Sequence, residues 1–173
     1  MSEHPLHLFR YCPQCGSPRF TENNEKSKRC EACGFVYYFN PSTATVALIT
    51  DADNRLLVCR RAKDPARGTL DLPGGFVDIG ETAEDGVRRE VKEETGLEVS
   101  EVTFLFSLPN IYPYSGFEVH TVDMFFRCGV GDISLLRPSD DVMETFFVPM
   151  AEICPADFGL LSIRRGLKKI GIC

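Results

Sequence analysis

Gly75-Phe76-Val77-Asp78-Ile79-Gly80-Glu81-Thr82-Ala83-Glu84-Asp85-Gly86-Val87-Arg88-Arg89-Glu90-Val91-Lys92-Glu93-Glu94-Thr95-Gly96-Leu97 is the stretch on which the reading of this chain turns. It reads as a loop, a helix and a second loop. Pro73-Gly74-Gly75 and Gly80 shape the first loop, because glycine permits close backbone approach and positive φ. Thr82-x-x-Asp85 has the form of a capping box, so the helix is expected to begin near Ala83. Gly96 is placed to end it as a C′ glycine. At about 100° per residue, Ala83, Val87 and Val91 make one apolar stripe. Glu94 falls inside that stripe, with Glu90 at its edge and Glu93 a step to the side.

A glutamate-rich helix ordinarily presents a solvated face, and Glu84, Asp85 and Lys92 do point outward. That account does not place Glu94 among valines. A carboxylate taken from water needs a cation or a set of hydrogen bonds. Carboxylates at i, i+3 and i+4 crowd one another unless positive charge lies between them. Oxygen ligands of high negative charge suit Mg²⁺ or Mn²⁺, which keep several waters and share phosphate oxygens with a substrate. The helix is therefore read as a metal site rather than a solvated face.

The whole loop-helix-loop is similar to the signature of the Nudix hydrolases. Gly75, Glu81, Arg89, Glu90, Val91, Glu93, Glu94, Gly96 and Leu97 fill its specified positions. The resemblance implies an α/β/α sandwich with a mixed sheet. It also implies hydrolysis of a nucleoside diphosphate linked to another group.

At 173 residues the chain has room for one ordinary domain and a small appendage. Its 43% hydrophobic and 25% charged residues are those of a globular protein. No apolar run reaches the roughly 18 residues that span a bilayer, and Met1-Ser2-Glu3-His4-Pro5 has no signal-peptide pattern. A cytoplasmic location and no membrane partner are expected. The net charge of −6 argues against general nucleic-acid binding, which rests on neutralising phosphates with Lys and Arg. A small anionic substrate remains open to an acidic protein when a divalent metal supplies local positive charge. A homodimer is the candidate assembly.

Eight cysteines invite a disulfide reading, but their grouping says otherwise. Cys12-Pro13-Gln14-Cys15 and Cys30-Glu31-Ala32-Cys33 are two CxxC pairs fourteen residues apart, each followed by a glycine. That is zinc-ribbon spacing, and four thiolates make a closed, structural Zn²⁺ site. Cys59, Cys128, Cys154 and Cys173 lack such spacing and read as buried or incidental thiols.

In chain order, residues 1–9 read as a loose lead-in. Residues 1–40 form the zinc-ribbon domain, with Phe20, Phe35, Tyr37, Tyr38 and Phe39 as an apolar body too small to hold a core without metal. Residues 41–173 form the catalytic domain. Residues 43–50 are strand-like and end at the turn signal Asp51-Ala52-Asp53-Asn54, after which residues 55–61 are expected to return as the second strand of a hairpin. Residues 69–72, 99–108, 118–130 and 146–148 also read as strands. Residues 156–170 carry apolar positions at helical spacing and are expected as a terminal helix packed on the sheet.

A zinc ribbon ahead of a Nudix domain resembles the NADH pyrophosphatase branch of that family. The branch carries a second marker, Ser-Gln-Pro-Trp-Pro-Phe-Pro-x-Ser, about ten residues beyond the helix. At that offset this chain has Ser107-Leu108-Pro109-Asn110-Ile111-Tyr112-Pro113-Tyr114-Ser115. Both serines and two prolines are kept and tyrosine replaces phenylalanine, while the glutamine, the tryptophan and the middle proline are absent. Ser107, Tyr112, Tyr114 and Ser115 are thus candidate substrate contacts, the tyrosines as stacking faces for a base. NADH and ADP-ribose both remain open as substrates.

By the same resemblance, Glu90, Glu94, Glu93, the Gly74 carbonyl and Glu144 are candidate ligands of Mg²⁺ or Mn²⁺. Glu144 matches the family's glutamate just before the late aromatic strand. Glu93, Glu90 and Arg89 are the catalytic candidates, with Arg89 one turn before Glu93 and able to orient it. The general base is Glu93 or a hydroxide held by metal. Two other classes stay open: a nucleoside triphosphatase or nucleotide-cap RNA hydrolase of the same fold, and a non-catalytic nucleotide-sensing module.

Overall fold

The computed structural model describes residues 4–138 and 142–173. The chain divides into two compact units, Met1–Pro41 and Ser42–Cys173.

In the first unit, β1 (Phe20–Asn24), β2 (Ser27–Cys30) and β3 (Val36–Tyr38) form an antiparallel sheet in that order. Its core is Cys12, Phe20 and Cys30, with Phe35 and Tyr37 packed against them. Tyr38 stands largely in solvent rather than joining that core. The lead-in expected to be loose is tied down over residues 4–9, while residues 1–3 lie outside the described residues. Leu6 is fully buried. The His4 ring accepts from the Leu6 N–H at 3.1 Å and meets the Asn24 carbonyl at 2.8 Å.

In the second unit, β4 (Ser42–Leu48), β8 (Phe117–Val130) and β7 (Val99–Tyr114) form a mixed sheet in the order β4-β8-β7. The β4–β8 pair is parallel and the β7–β8 pair antiparallel. A second sheet of order β6-β5-β9 is antiparallel and uses β5 (Arg55–Arg61), β6 (Leu70–Asp71) and β9 (Val142–Pro149). The expected hairpin of the first two strands does not form along their length, because β4 pairs with β8 and β5 with β9. The turn end alone closes as a hairpin, where Thr50 bridges Leu56, the Leu57 N–H donates to the Ile49 carbonyl at 2.9 Å and the Asp51 N–H to the Arg55 carbonyl at 3.1 Å.

Period-two alternation sends successive side chains to opposite faces, and each face has its helix. Val46, Leu48, Leu56, Val58 and Phe125 pack with Ile163 and Leu167 of α2 (Leu161–Lys169). Ala47, Ile49, Leu57 and Phe126 pack with Val87 and Val91 of α1 (Ala83–Thr95). This is the mixed-sheet, two-faced architecture that the element order implied. The terminal helix is shorter than expected, since a 3-10 turn at Pro155–Asp157 precedes it.

The proline-bearing stretch from Ser107 is strand. It continues β7 to Tyr114, pairs with β8 throughout, and turns at Ser115 and Gly116, both at positive φ. Pro109 and Pro113 fit because β7 is an edge strand, where a missing N–H costs no ladder bond.

Candidate active site and metal centres

The site is built where the glycine loop crosses β4. Thr45 and Ala47 donate backbone N–H groups to the Gly75 and Pro73 carbonyls, both at 2.7 Å, and Val77 donates to the Thr43 carbonyl at 3.0 Å. The approach is close enough to dictate residue type. A Cβ on Gly74, whose φ is 144°, would lie 2.1 Å from the Thr45 carbonyl oxygen, and one on Gly75 would lie 2.7 Å from the Glu90 carboxylate. Gly75 is thus the clearance for Glu90.

The helix holds its register as its caps predict. Thr82 Oγ1 accepts from the Asp85 N–H at 3.1 Å and donates to the Asp85 carboxylate at 2.6 Å, and Gly96 takes φ 75° at the other end. With Val87 and Val91 fully buried, Glu90, Glu93 and Glu94 are carried to the cleft.

Arg89 organises the acids. Its guanidinium grips both oxygens of Glu81 at 3.0 Å, donates to Glu90 at 2.8 Å and to Glu93 at 3.0 Å, and donates to the Phe76 carbonyl at 2.9 Å. Arg89 and the Asp78 N–H hold the Glu81 carboxyl below the ordinary carboxylate range. Charge-assisted, forked bonds of this kind are the strong, orienting ones. Glu93 is 48% exposed at the edge of this network, whereas the Glu90 side chain is 15% exposed.

Glu94 stands outside the Arg89 network. Its carboxylate accepts the Gly74 N–H at 3.0 Å. Burial pushes its carboxyl up to about 8, and the neighbouring Glu90 and Asp71 charges add to the rise against the Gly74 bond and Arg61. A half-buried acid beside two more, on oxygen donors alone, fits a hard divalent cation. Among the described residues the glutamate oxygens do not yet converge as metal ligands do, because Arg89 holds Glu90 and Glu93.

The cleft has a volume of about 490 Å³ and is lined by Gly74, Gly75, Arg89, Glu90, Glu93 and Glu94, and by residues that sequence reasoning did not select. Arg61 donates to Asp71 at 2.5 Å, to the Tyr112 hydroxyl at 3.1 Å and to the Pro65 carbonyl at 2.7 Å. Tyr112 meets Phe76 edge-on, with ring centroids 5.7 Å apart, and Tyr114 lies beside it at 6.4 Å. Asp123 and Thr121, from the central strand β8, form part of the floor, and Thr121 donates to Asp123 at 2.5 Å. Their one sequence signal is polar side chains alternating within a strand otherwise rich in apolar residues.

Three candidates are not brought to this cleft. Ser107 lies on the face of β7 opposite Asn110, Tyr112 and Tyr114, and Ser115 sits at the hairpin tip, because side chains alternate along a strand. Glu144 pairs across the strands with Arg60, accepts its Nε–H at 2.9 Å and is 59% exposed. The alternation of β5 aims Cys59 and Arg61 into the cleft and Arg60, with its partner Glu144, away from it. Glu144, expected as a ligand by resemblance, thus stands apart from the cleft acids and against Arg60.

In the first unit the four thiols are unpaired by disulfides and their sulfurs all lie within 4.8 Å of one another. Cys12 and Cys33 sulfurs are 3.7 Å apart, and Cys15 and Cys30 sulfurs 3.6 Å apart. A tetrahedron with Zn–S bonds of about 2.3 Å has edges of about 3.8 Å, so the cluster fits zinc. Burial raises the Cys30 thiol, but the Cys33 and Ala32 N–H groups and the neighbouring sulfurs outweigh it, leaving Cys30 at about 6.

Comparison with known proteins bears on the family. The NAD-capped RNA hydrolase NudC of Vibrio atlanticus is 32% identical over 112 residues, covering 65% of this chain and 41% of that protein. The ADP-ribose pyrophosphatase of Methanocaldococcus jannaschii is 37% identical over 114 residues, covering 64% of this chain and 63% of that protein. The chain thus spans about two-fifths of the length of the NudC relative. A crystal structure of a NUDIX hydrolase from Nitrosomonas europaea superposes with a TM-score of 0.71 at 27% identity, over 92% of this chain and 88% of that one. The glycine loop, the Arg89-centred helix and the sheet that carries them all fall within residues 40–168, which match the NUDIX domain, and the chain therefore belongs to the Nudix hydrolase family.

Proposed function

We propose that this chain hydrolyses the diphosphate bridge of a nucleoside diphosphate derivative of the NADH or ADP-ribose class, using Mg²⁺ or Mn²⁺. The observation that carries the reading is the placement of Glu94, which lines the cleft with Glu90 and Glu93 and accepts the N–H of Gly74 from the glycine loop at 3.0 Å. A bound divalent cation neutralises the bridge oxygens and acidifies the attacking water. Glu90, Glu94 and Glu93 would hold it, together with the Gly74 carbonyl. Arg89 keeps Glu90 and Glu93 in place through bonds of 2.8 and 3.0 Å. Glu93, half in solvent, takes the proton of the attacking water. Tyr112 and Tyr114 receive the base.

In this reading the Ser42–Cys173 unit is the catalytic domain, and the Met1–Pro41 unit is a ribbon closed by zinc at Cys12, Cys15, Cys30 and Cys33. Relatives named for ADP-ribose and for NAD-capped RNA support the substrate class. They also favour a second reading, removal of a nucleotide cap from RNA. With a net charge of −6, the chain would then engage the 5′ end rather than the body of the RNA. No helix among the described residues is long and apolar enough to cross a membrane.

The test is a panel of NADH, NAD⁺, ADP-ribose, NAD-capped RNA, dinucleoside polyphosphates and nucleoside triphosphates with Mg²⁺ or Mn²⁺. Conversion of NADH or ADP-ribose into two monophosphates is expected. Turnover confined to nucleoside triphosphates would reject the proposal, and turnover confined to capped RNA would select the second reading.

A further inference from the structure

The cleft floor contains a carboxylate that the proposed hydrolysis does not use. Asp123 is 4% exposed, lies on the central strand β8 and faces the cleft. Its hydrogen-bond donor is the Thr121 hydroxyl at 2.5 Å. That bond uses the Thr121 proton, so the two side chains together offer acceptor positions and no donor. Asp71, also in the cleft lining, is paired with Arg61 at 2.5 Å, so the Asp123 carboxylate is the charge that disfavours a phosphate there. The complement of such a surface is an uncharged group with two adjacent donors.

The register says which part of a nucleotide lies there. Asn110 and Thr121 are cross-strand partners, as are Leu108 and Asp123, with Tyr112 two residues beyond Asn110. On the other side of Asp123 lies its β4 partner Ala44, next to Thr45, which donates to the glycine loop. At about 3.3 Å per residue, the order along the floor is stacking ring and amide, then the acceptor pair, then the glycine loop and helix acids. A side-chain amide matches the N6/N7 edge of adenine. Among the described residues Arg61 bonds with three of its five donors, which leaves two for the phosphate that follows.

We infer that Asp123, supported by Thr121, is the specificity-determining residue that accepts the 2′- and 3′-hydroxyls of the adenosine ribose, with adenine on Asn110 and Tyr112. A carboxylate is a proven partner of a ribose 2′-hydroxyl and repels a 2′-phosphate. The inference rests on the proposed nucleoside diphosphate substrate and names how its sugar is read.

The experiment is equilibrium binding of ADP-ribose, its 2′-deoxyadenosine analogue and its 2′-phosphate to the full chain, followed by the same series with Asp123→Asn. The wild-type protein should bind ADP-ribose about tenfold or more tighter than either analogue, as expected for loss of a hydrogen bond to a charged acceptor. Asp123→Asn should compress those ratios towards one and relieve the penalty on the 2′-phosphate. Equal wild-type affinities for ADP-ribose and the 2′-deoxy analogue would overturn the inference while leaving the substrate class intact, and that arm does not depend on the variant folding. A variant that weakens all three ligands equally would also overturn it. Failure of all three to bind would reject the substrate class and the inference with it.

Discussion

The molecule has two places suited to metal, and they are prepared to different degrees. The four sulfurs of the first unit already stand 3.6 and 3.7 Å apart in pairs, near the edges of a zinc tetrahedron. The glutamates of α1 are on the right face of one helix, yet Arg89 holds two of them and Glu94 takes a backbone N–H. A structural site closes over its ion and is finished when the chain is folded. A catalytic site must keep room for substrate and water, so its acids are supported from behind and left open in front.

The largest expected effect tests the closed site. Replacing Cys30 by Ser should abolish stoichiometric zinc and unfold residues 4–41, since structural zinc contributes about 10 kcal/mol or more to such units. Elemental analysis and amide exchange check both. A ribbon that keeps its fold without zinc would erase the contrast.

Next comes the open site. Glu94→Gln keeps the shape and removes the charge, and should lower kcat by about a hundredfold or more with the fold intact. The same variant tests the pH behaviour. Glu94 rises from an ordinary 4.5 to about 8. Between those values the folded state holds a proton that the unfolded chain has lost, so its contribution is full below the lower value. It is lost as pH rises through the upper one. Without added Mg²⁺ or Mn²⁺, the Tm of the wild type should fall between about pH 5 and 8, and that of Glu94→Gln should not. Parallel Tm profiles would mean that Glu94 is not buried at a cost.

A smaller effect is expected from the aromatic wall. Replacing Tyr112 and Tyr114 together by Ala should reduce kcat/KM for NADH or ADP-ribose roughly tenfold to a hundredfold, with stacking worth about 1 to 3 kcal/mol per base. ADP, if turned over, should lose much less. A uniform loss would make the wall structural, a role open to Tyr112 through its bond to Arg61.

The smallest is Glu144→Gln. Exposed and bound to Arg60, it should change kcat less than about twofold and stability by less than about 1 kcal/mol, as surface pairs do. A large loss of kcat would place Glu144 in the metal site after all and blur the distinction between acids inside and outside the cleft.

These outcomes bear on how much a linear reading reaches. The caps of α1 were legible because a capping residue and a C′ glycine act within a few positions of themselves, and Thr82 and Gly96 do so here. The assembled sulfurs were legible because two CxxC turns bring four thiols together almost by local geometry. The apolar stripe of α1 likewise follows from its period, and with it the placement of Glu94 beside Val87 and Val91.

The rest required strands from distant parts of the chain. Residues 107–115 drew notice as a marker carrying two prolines, and only pairing with β8 made an edge strand of them. That pairing put Tyr112 in the cleft and Ser107 on the other face. Pairing of β5 with β9 turned Glu144 towards Arg60, although by resemblance it matches a glutamate just before the late aromatic strand. Arg61, Asp71 and Asp123 come from three strands, and no spacing connects them. Sequence by itself determined what one helix or one turn can hold together. Strand register decided which side of the sheet each remaining side chain faces, since a shift of one residue reverses it.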